Sequence, residues 1–392
     1  MSIGKDSVVY VAPDKMGGVI NIIGNLLDHR RHDGYGYHVV LTHNTLDRDA
    51  RFGGTLAADS QTTVEYSLPA ENLHAIMRRV AAAVPSGPGV YVAGDLLDLA
   101  TASVHDFGRA VIFMLHGDSE YYYDLAVRHE PIIHAFTVGS RRMYDSLVAR
   151  LPDRMNTIFH LPYGVRIPDG RRRPVPGALR AIFAGRIEPA KGVLDLPAID
   201  KTLRERGIRV RWTIAGAGPG EQDLRHQWAF NARVRWTGRL SARQLEREYL
   251  EHDVFVLPTR SEGFPVALLE AMAFGLVPVV SDIESGVPEA VESDAVGFRR
   301  TVGDSGAFAD AIAALDADRD RLEAMSAAAR KTIVSRYDIR ERVADYQRLY
   351  HQWADLYRPL AGREHLQYGS RLDKPWIPNT LVRAVRRAWR MV

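Results

Sequence analysis

Short runs of aliphatic and β-branched residues recur along this chain, each followed by a longer segment whose apolar residues return every three or four positions. No other feature constrains the fold as much. Strands buried on both faces read as continuous apolar runs, and helices between them carry the chain back for parallel pairing. The runs form two series. The first comprises residues 8–11, 37–41, 90–92, 110–115, 135–138 and 157–161, and the second 180–183, 210–214, 234–236, 254–257 and 277–280. Between them, residues 166–176 hold three prolines, a glycine and three consecutive arginines, the composition of an interdomain linker. With 392 residues, 46% of them hydrophobic, the chain exceeds one ordinary core. The pattern therefore predicts an α/β protein with two doubly wound domains.

Composition then removes several chemistries. The chain has no cysteine, so disulfides, thiolate nucleophiles and Cys-ligated zinc are excluded. No run approaches the ~18 apolar residues of a membrane span, and the expectation is a cytoplasmic, unprocessed protein. Net charge is only +3, but arginine greatly outnumbers lysine, which suits phosphorylated small ligands better than nucleic acid.

The most informative segment runs from Ser261 through Glu262, Gly263, Phe264, Pro265 and Val266 to Glu270 and Gly275. Residues 266–274 are apolar enough for a buried helix, and Gly263-Phe264-Pro265 would turn its first amides toward an anion. Glu270 lies within Ala-Leu-Leu-Glu-Ala-Met-Ala, where an unpaired carboxylate is costly, so it should have hydroxyl or amide donors. A second motif, Gly185-Arg186 with Lys191-Gly192, follows the strand at 180–183 and puts two cations at the carboxyl end of a parallel strand, the usual ligand crevice of such sheets. Ala215-Gly-Ala-Gly-Pro-Gly220 also follows a strand; it reads equally as a ligand loop or a structural turn. In the first series, Gly17-Gly18 opens a helix after the first strand, and His116 ends the strand at 110–115. Each could be structural: a tight turn, and a satisfied strand-end histidine.

Taken together, Glu262 and Glu270 as E-x7-E, with Arg186 and Lys191 as G-R-x4-K-G, resemble the retaining GT-B glycosyltransferases, in particular the family 4-like members. The resemblance implies two Rossmann-like doubly wound domains facing a central cleft. It spans roughly residues 17–350 in architecture and only the second half in motif detail. Boundaries follow: an acceptor-side domain at 1–165, the linker at 166–176, a nucleotide-sugar-binding domain at 177–335, a helix returning to the first domain at 336–360 and a basic amphipathic tail at 361–392.

Roles follow residue by residue from the same resemblance. Glu262 would contact donor-sugar hydroxyls, the backbone from Gly263 through Phe264 and Pro265 to Val266 would hold sugar and phosphate, and Glu270 would bind the ribose. Arg186 and Lys191 would neutralise the donor diphosphate. Gly17 and Gly18 would lie beside the phosphates, and His116 would approach the donor sugar. Arg239 and Leu240, in the loop Trp236 to Ser241, would lie beside the nucleobase. His116, Arg186, Lys191 and Glu262 form the expected catalytic set. The chain departs from the family at Tyr163, where an asparagine is common, and at Ala190, where an acidic residue is common.

The implied reaction moves a sugar, with retention, from a nucleoside-diphosphate sugar to a glycan or lipid-linked glycan, as in assembly of cell-surface polysaccharide or glycolipid. No cofactor or metal is expected. Asp47-Arg-Asp49 and Asp316-Ala-Asp318 have D-x-D spacing, but one lies in a polar loop and the other in a charge run, and both read as chance. An epimerase or phosphorylase on the same fold, and a non-catalytic nucleotide-sugar-binding protein, are the competing readings. The segment from Pro378 onward sets Arg383, Arg386, Arg387 and Arg390 on one short helix with Leu381, Val382, Val385 and Trp389, with Asn379 or Thr380 as N-cap. That composition suits either an anionic membrane surface or packing against protein.

Overall fold

The computed structural model describes residues 5–47, 51–174, 176–228, 233–359 and 367–390. The chain divides into two compact units, one of Met1–Gly139, Met143–Pro162 and Arg340–Val392, the other of Ser140–Arg142 and Tyr163–Ile339.

The first unit holds strands β1 (Ser7–Pro13), β2 (Gly36–Asn44), β3 (Ser60–Tyr66), β4 (Gly89–Ala93), β5 (Arg109–Leu115), β6 (Ala135–Val138) and β7 (Ile158–His160). They pair in parallel in the order β3-β2-β1-β4-β5-β6-β7. Val9 of β1 stands opposite His38 of β2 on one side and Tyr91 of β4 on the other. Every residue of β4 and β5 is buried, as a sheet covered by helices on both faces requires. The helix Gly18–Asp28 presses Ile20, Ile23, Leu26 and Leu27 inward at helical spacing.

The second unit holds β8 (Leu179–Ala184), β9 (Val210–Ala215), β10 (Val234–Gly238), β11 (Val254–Leu257), β12 (Val277–Ser281) and β13 (Phe298–Arg300), parallel in the order β10-β9-β8-β11-β12-β13. In both sheets the order reverses beside the first strand, between β1 and β4 and between β8 and β11. Ligands of doubly wound sheets bind at the carboxyl ends of the strands flanking that reversal.

Two strands escaped the apolar pattern. Ser-Gln-Thr-Thr-Val-Glu-Tyr of β3 buries only Val64, and β13 is Phe-Arg-Arg; both pair on one side only, so neither needs an apolar run. Within the stretch read as a linker, Arg172 is buried in the second unit. Its guanidinium donates to Asp253 Oδ1 at 2.7 Å, to Ser326 Oγ at 3.1 Å and to Glu323, and its N–H bonds Phe274 O at 2.7 Å. The chain re-enters the first unit at Arg340: Tyr10 donates to the Tyr350 hydroxyl at 3.1 Å, Tyr346 to Leu161 O at 2.9 Å, and Gln347 accepts from Arg31 N at 3.0 Å.

Candidate functional site

In the second unit the loops after β8 and β11 interlock. Gly192 adopts φ +65°, and a Cβ there would meet Pro258 O at 1.7 Å, so only glycine lets the two backbones touch. Arg260 N donates to Ala190 O at 2.9 Å, Thr259 Oγ1 to the same oxygen at 3.2 Å, and the Arg260 guanidinium pairs with Asp195 at 3.0 Å. This brings the two motifs into contact: Lys191 Nζ lies 2.6 Å from Glu262 Oε1. Arg186, in the same loop after β8, pairs with Glu188 at 3.2 Å with its side chain half exposed.

The glycines after β9 support this loop from the other side. A Cβ at Gly216 would stand 1.8 Å from Gly185 O, and one at Gly218 would stand 2.3 Å from Ile187 O. Ile187 N donates to Ala217 O at 3.1 Å, and Gly220 N to Ile187 O at 2.9 Å. Of the two readings of Ala215 to Gly220, these contacts account for the glycines by backbone packing.

The turn at Gly263-Phe264-Pro265 is pinned by Gly286, whose N–H bonds Gly263 O at 2.8 Å and whose missing side chain leaves room for Phe264: a Cβ would fall 1.6 Å from the ring. Tyr163 and Tyr337 pack on the same ring, with centroids at 6.5 and 5.4 Å. Tyr163, where the family pattern has asparagine, is thus a buried wall of this turn. The helix Val266–Ala273 follows; Leu268 N and Leu269 N bond Pro265 O, while the amides of Val266 and Ala267 meet no acceptor among the described residues. Val266, Ala267 and Glu270 form the helix's partly open strip, and its other residues are buried. Open amides therefore stand at the helix N-terminus, and the carboxylate lies one turn along on its open side. Glu270 was expected to have hydroxyl or amide donors, and none of the described residues bonds its carboxylate. Crowding by protein atoms, with Glu246 adding repulsion, pushes that carboxyl up to about 7. Arg239 and Leu240 follow the edge strand β10, two strands from β8, where Gly216 N donates to Gly238 O at 2.9 Å.

In the first unit, Gly17 caps the helix Gly18–Asp28 with φ +156°, a conformation suited to glycine. Gly18 is different: its backbone is ordinary, and among the described residues a Cβ would meet nothing within 4 Å. None of the described residues demands glycine there. His116 follows β5, and burial pushes its imidazole down to about 4, so it is neutral at pH 7. A Cβ on Gly94 would lie 2.8 Å from His116 Nε2, Nδ1 has no hydrogen-bond partner among the described residues, and Tyr122 stands edge-on at 6.5 Å. Beside it, Asp95 caps the helix Leu96–Val104 and accepts from Leu96 N at 2.7 Å and from the Tyr121 hydroxyl. Sequence reasoning passed over Asp95 and Tyr121, although Gly-Asp directly after the apolar run of β4 is the usual signal of a carboxyl-end loop opening a helix.

Three of the four D-x-D aspartates lie among the described residues. Asp47 pairs with Lys15 at 2.8 Å, and Asp49 lies outside the described residues. Asp316 pairs with Arg319 at 2.5 Å, and Asp318 caps the helix Arg319–Arg336 through Arg321 N at 2.9 Å. Among the described residues no group of three or more His, Asp or Glu side chains converges as a metal site.

Residues 173–332, the segment holding this geometry in the second unit, match the family model of glycosyl transferases group 1. The chain is 32% identical over 218 residues to a GDP-mannose-dependent α-(1-6)-phosphatidylinositol monomannoside mannosyltransferase of Mycobacterium tuberculosis, covering 49% of this chain and 56% of that protein. It is 29% identical over 208 residues to the amylovoran biosynthesis glycosyltransferase AmsK of Erwinia amylovora, covering 51% and 48%. The chain thus spans about half the length of these curated relatives. Among solved structures, HepE of Anabaena in complex with UDP and glucose aligns with a TM-score of 0.71 and 17% identity over 88% of this chain and 99% of its own. Sucrose-phosphate synthase of Thermosynechococcus elongatus aligns at 0.69 and 15% identity over 88% and 98%. The two parallel sheets, each flanked by helices, are those of the two-domain GT-B fold.

Proposed function

We propose that the protein is a retaining glycosyltransferase that moves a hexosyl group from a nucleoside-diphosphate sugar to a glycan or lipid-linked glycan. The observation that carries this reading is the Lys191–Glu262 pair, 2.6 Å apart, in the same unit as a helix N-terminus whose open strip bears Glu270, a carboxylate that no described residue bonds. A cation, free amides and two carboxylates are the complement of a diphosphate flanked by two polyols. The matching family model and the names of the curated relatives point the same way.

In the unliganded protein, Lys191 and Glu262 neutralise each other. An arriving donor separates their tasks: the diphosphate takes Lys191 and Arg186, sugar hydroxyls take Glu262, and ribose hydroxyls donate to Glu270. As the bond from the anomeric carbon to the β-phosphate oxygen breaks, charge grows on the diphosphate, and the two cations with the open amides of Val266 and Ala267 stabilise it. The acceptor oxygen bonds the anomeric carbon on the face the diphosphate leaves, and its proton passes to a phosphate oxygen. No side chain need act as nucleophile; positioning and fixed charge supply the rate. In the first unit, Gly18 leaves room for close approach, neutral His116 can exchange hydrogen bonds with a sugar without bringing charge, and Asp95 with Tyr121 offers a carboxylate and a ring to acceptor hydroxyls.

The test is a panel of UDP-, GDP- and ADP-sugars scored by thermal stabilisation, then by transfer to glycan acceptors with NMR assignment of the new anomeric centre. One donor should stabilise and give a product of the donor's own anomeric configuration. Stabilisation by none of them would refute donor binding, and an inverted product would refute retention.

A further inference from the structure

The helix Asn379–Arg390 lies on the first unit by one edge only. Val382 is fully buried there. Asn379 accepts from Asn72 N at 2.8 Å and donates to Glu71 at 3.0 Å, so its side chain ties the helix to the unit and does not cap it. Arg386 pairs with Asp373 at 2.6 Å, and Asp373 also accepts from Leu73 N at 2.8 Å. Positions 379, 382 and 386 follow one line along a helix, so most of the circumference stays open.

What the open circumference presents is sorted by side. Leu381 and Trp389 fall on one flank with Val385, and Arg383 and Arg387 on the other. Trp376, in the turn just before the helix, is 76% exposed, Trp389 71% and Leu381 55%; these are the three most exposed large apolar side chains among the described residues. The sequence from 367 to 392 contains six basic residues against one acidic residue, Asp373, which Arg386 already occupies. Arg383 and Arg387 meet no carboxylate among the described residues.

We infer that this tail is a docking face for an anionic lipid surface, with Trp376, Leu381 and Trp389 entering the boundary between headgroups and acyl chains and Arg383 and Arg387 meeting lipid phosphates. An apolar flank backed by an arginine flank asks for an occupant that is apolar in one layer and anionic in the next, as a bilayer interface is. A protein partner fits less well: the strip is about 18 Å long and one helix wide, roughly 200 Å² against the ~800 Å² per partner of a stable interface. Among the described residues no helix is long and apolar enough to cross a membrane, so the contact is peripheral. This inference stands apart from the donor chemistry and can fail without it.

The experiment is co-sedimentation of the full chain with phosphatidylcholine vesicles, with and without about one-third phosphatidylglycerol. The protein should pellet with the anionic vesicles, less so as salt rises, and its tryptophan emission should shift to the blue. R383E/R387E should weaken binding at least tenfold. W376F/W389F should keep much of the binding and lose most of the shift; both variants alter exposed side chains, so an unchanged Tm certifies their fold. Equal binding by wild type and R383E/R387E, or no binding of the wild type to either vesicle, overturns the inference. A change of oligomeric state in R383E/R387E without loss of vesicle binding would overturn it in favour of a protein contact.

Discussion

Glu270 finds no hydrogen-bond donor among the described residues, and burial holds its carboxyl near 7, so its charge changes in the range where enzymes are assayed. Because that value lies above the ordinary 4.5, folding takes up a proton between the two, and stability falls as pH climbs from about 4.5 through 7. E270Q should therefore raise Tm at pH 8 and lose that advantage toward pH 5, as a pH series of melts would show. In the proposed donor complex ribose hydroxyls would donate to the ionised form, so donor affinity should rise from pH 5.5 to 8, by up to about tenfold per unit below 7. In E270Q it should be weak and flat across the series; a flat wild-type profile by calorimetry would remove Glu270 from donor binding. Gly18 offers a second test at this scale. G18A should fold with Tm within about 1 °C, since its Cβ meets nothing, yet lose transfer activity at least tenfold. Wild-type turnover by G18A would mean that no ligand passes close to that backbone.

The Lys191–Glu262 contact depends on the backbones beneath it. Gly192 holds a left-handed φ of +65° against Pro258 O, and Gly286 makes room for the Phe264 ring. G192A and G286A should each cost about 2–4 kcal/mol, read as lower denaturation midpoints, and G192A should also weaken donor binding by separating Lys191 from Glu262. A G192A protein with wild-type midpoint and affinity would show that the interlock is dispensable. These two glycines also mark where reading the sequence stops. Arg186, Lys191, Glu262 and Glu270 stood out in the sequence because each pair is set by a short local spacing, G-R-x4-K-G within one loop and E-x7-E from a loop into the helix after it. What Gly192 and Gly286 do depends on neighbours 66 and 22 positions away in the chain, Pro258 and Phe264. Asp95 and Tyr121 likewise meet only because β4 pairs with β5. The central strands announced themselves as apolar runs, whereas β3 and β13, each paired on one side only, carry no such run.

At the scale of the whole molecule, the proposed donor site offers cations and helix amides in place of a divalent ion. Transfer should therefore persist in excess EDTA; complete loss that added Mg²⁺ or Mn²⁺ restores would require a metal site in the complex with donor. The two units also differ in how they are assembled from the chain. The second is nearly one continuous stretch, Tyr163–Ile339, whereas the first joins residues up to Pro162 to those from Arg340 onward, with Tyr10 meeting Tyr350 and Leu161 meeting Tyr346. During synthesis the second unit can close as soon as its own residues emerge. The first must wait, its apolar face uncovered at β1, until nearly 180 further residues have been made. Pulse proteolysis of stalled nascent chains should find the second unit protected at lengths where the first is still cut, and the opposite order would show that residues 340–390 are not needed to close it.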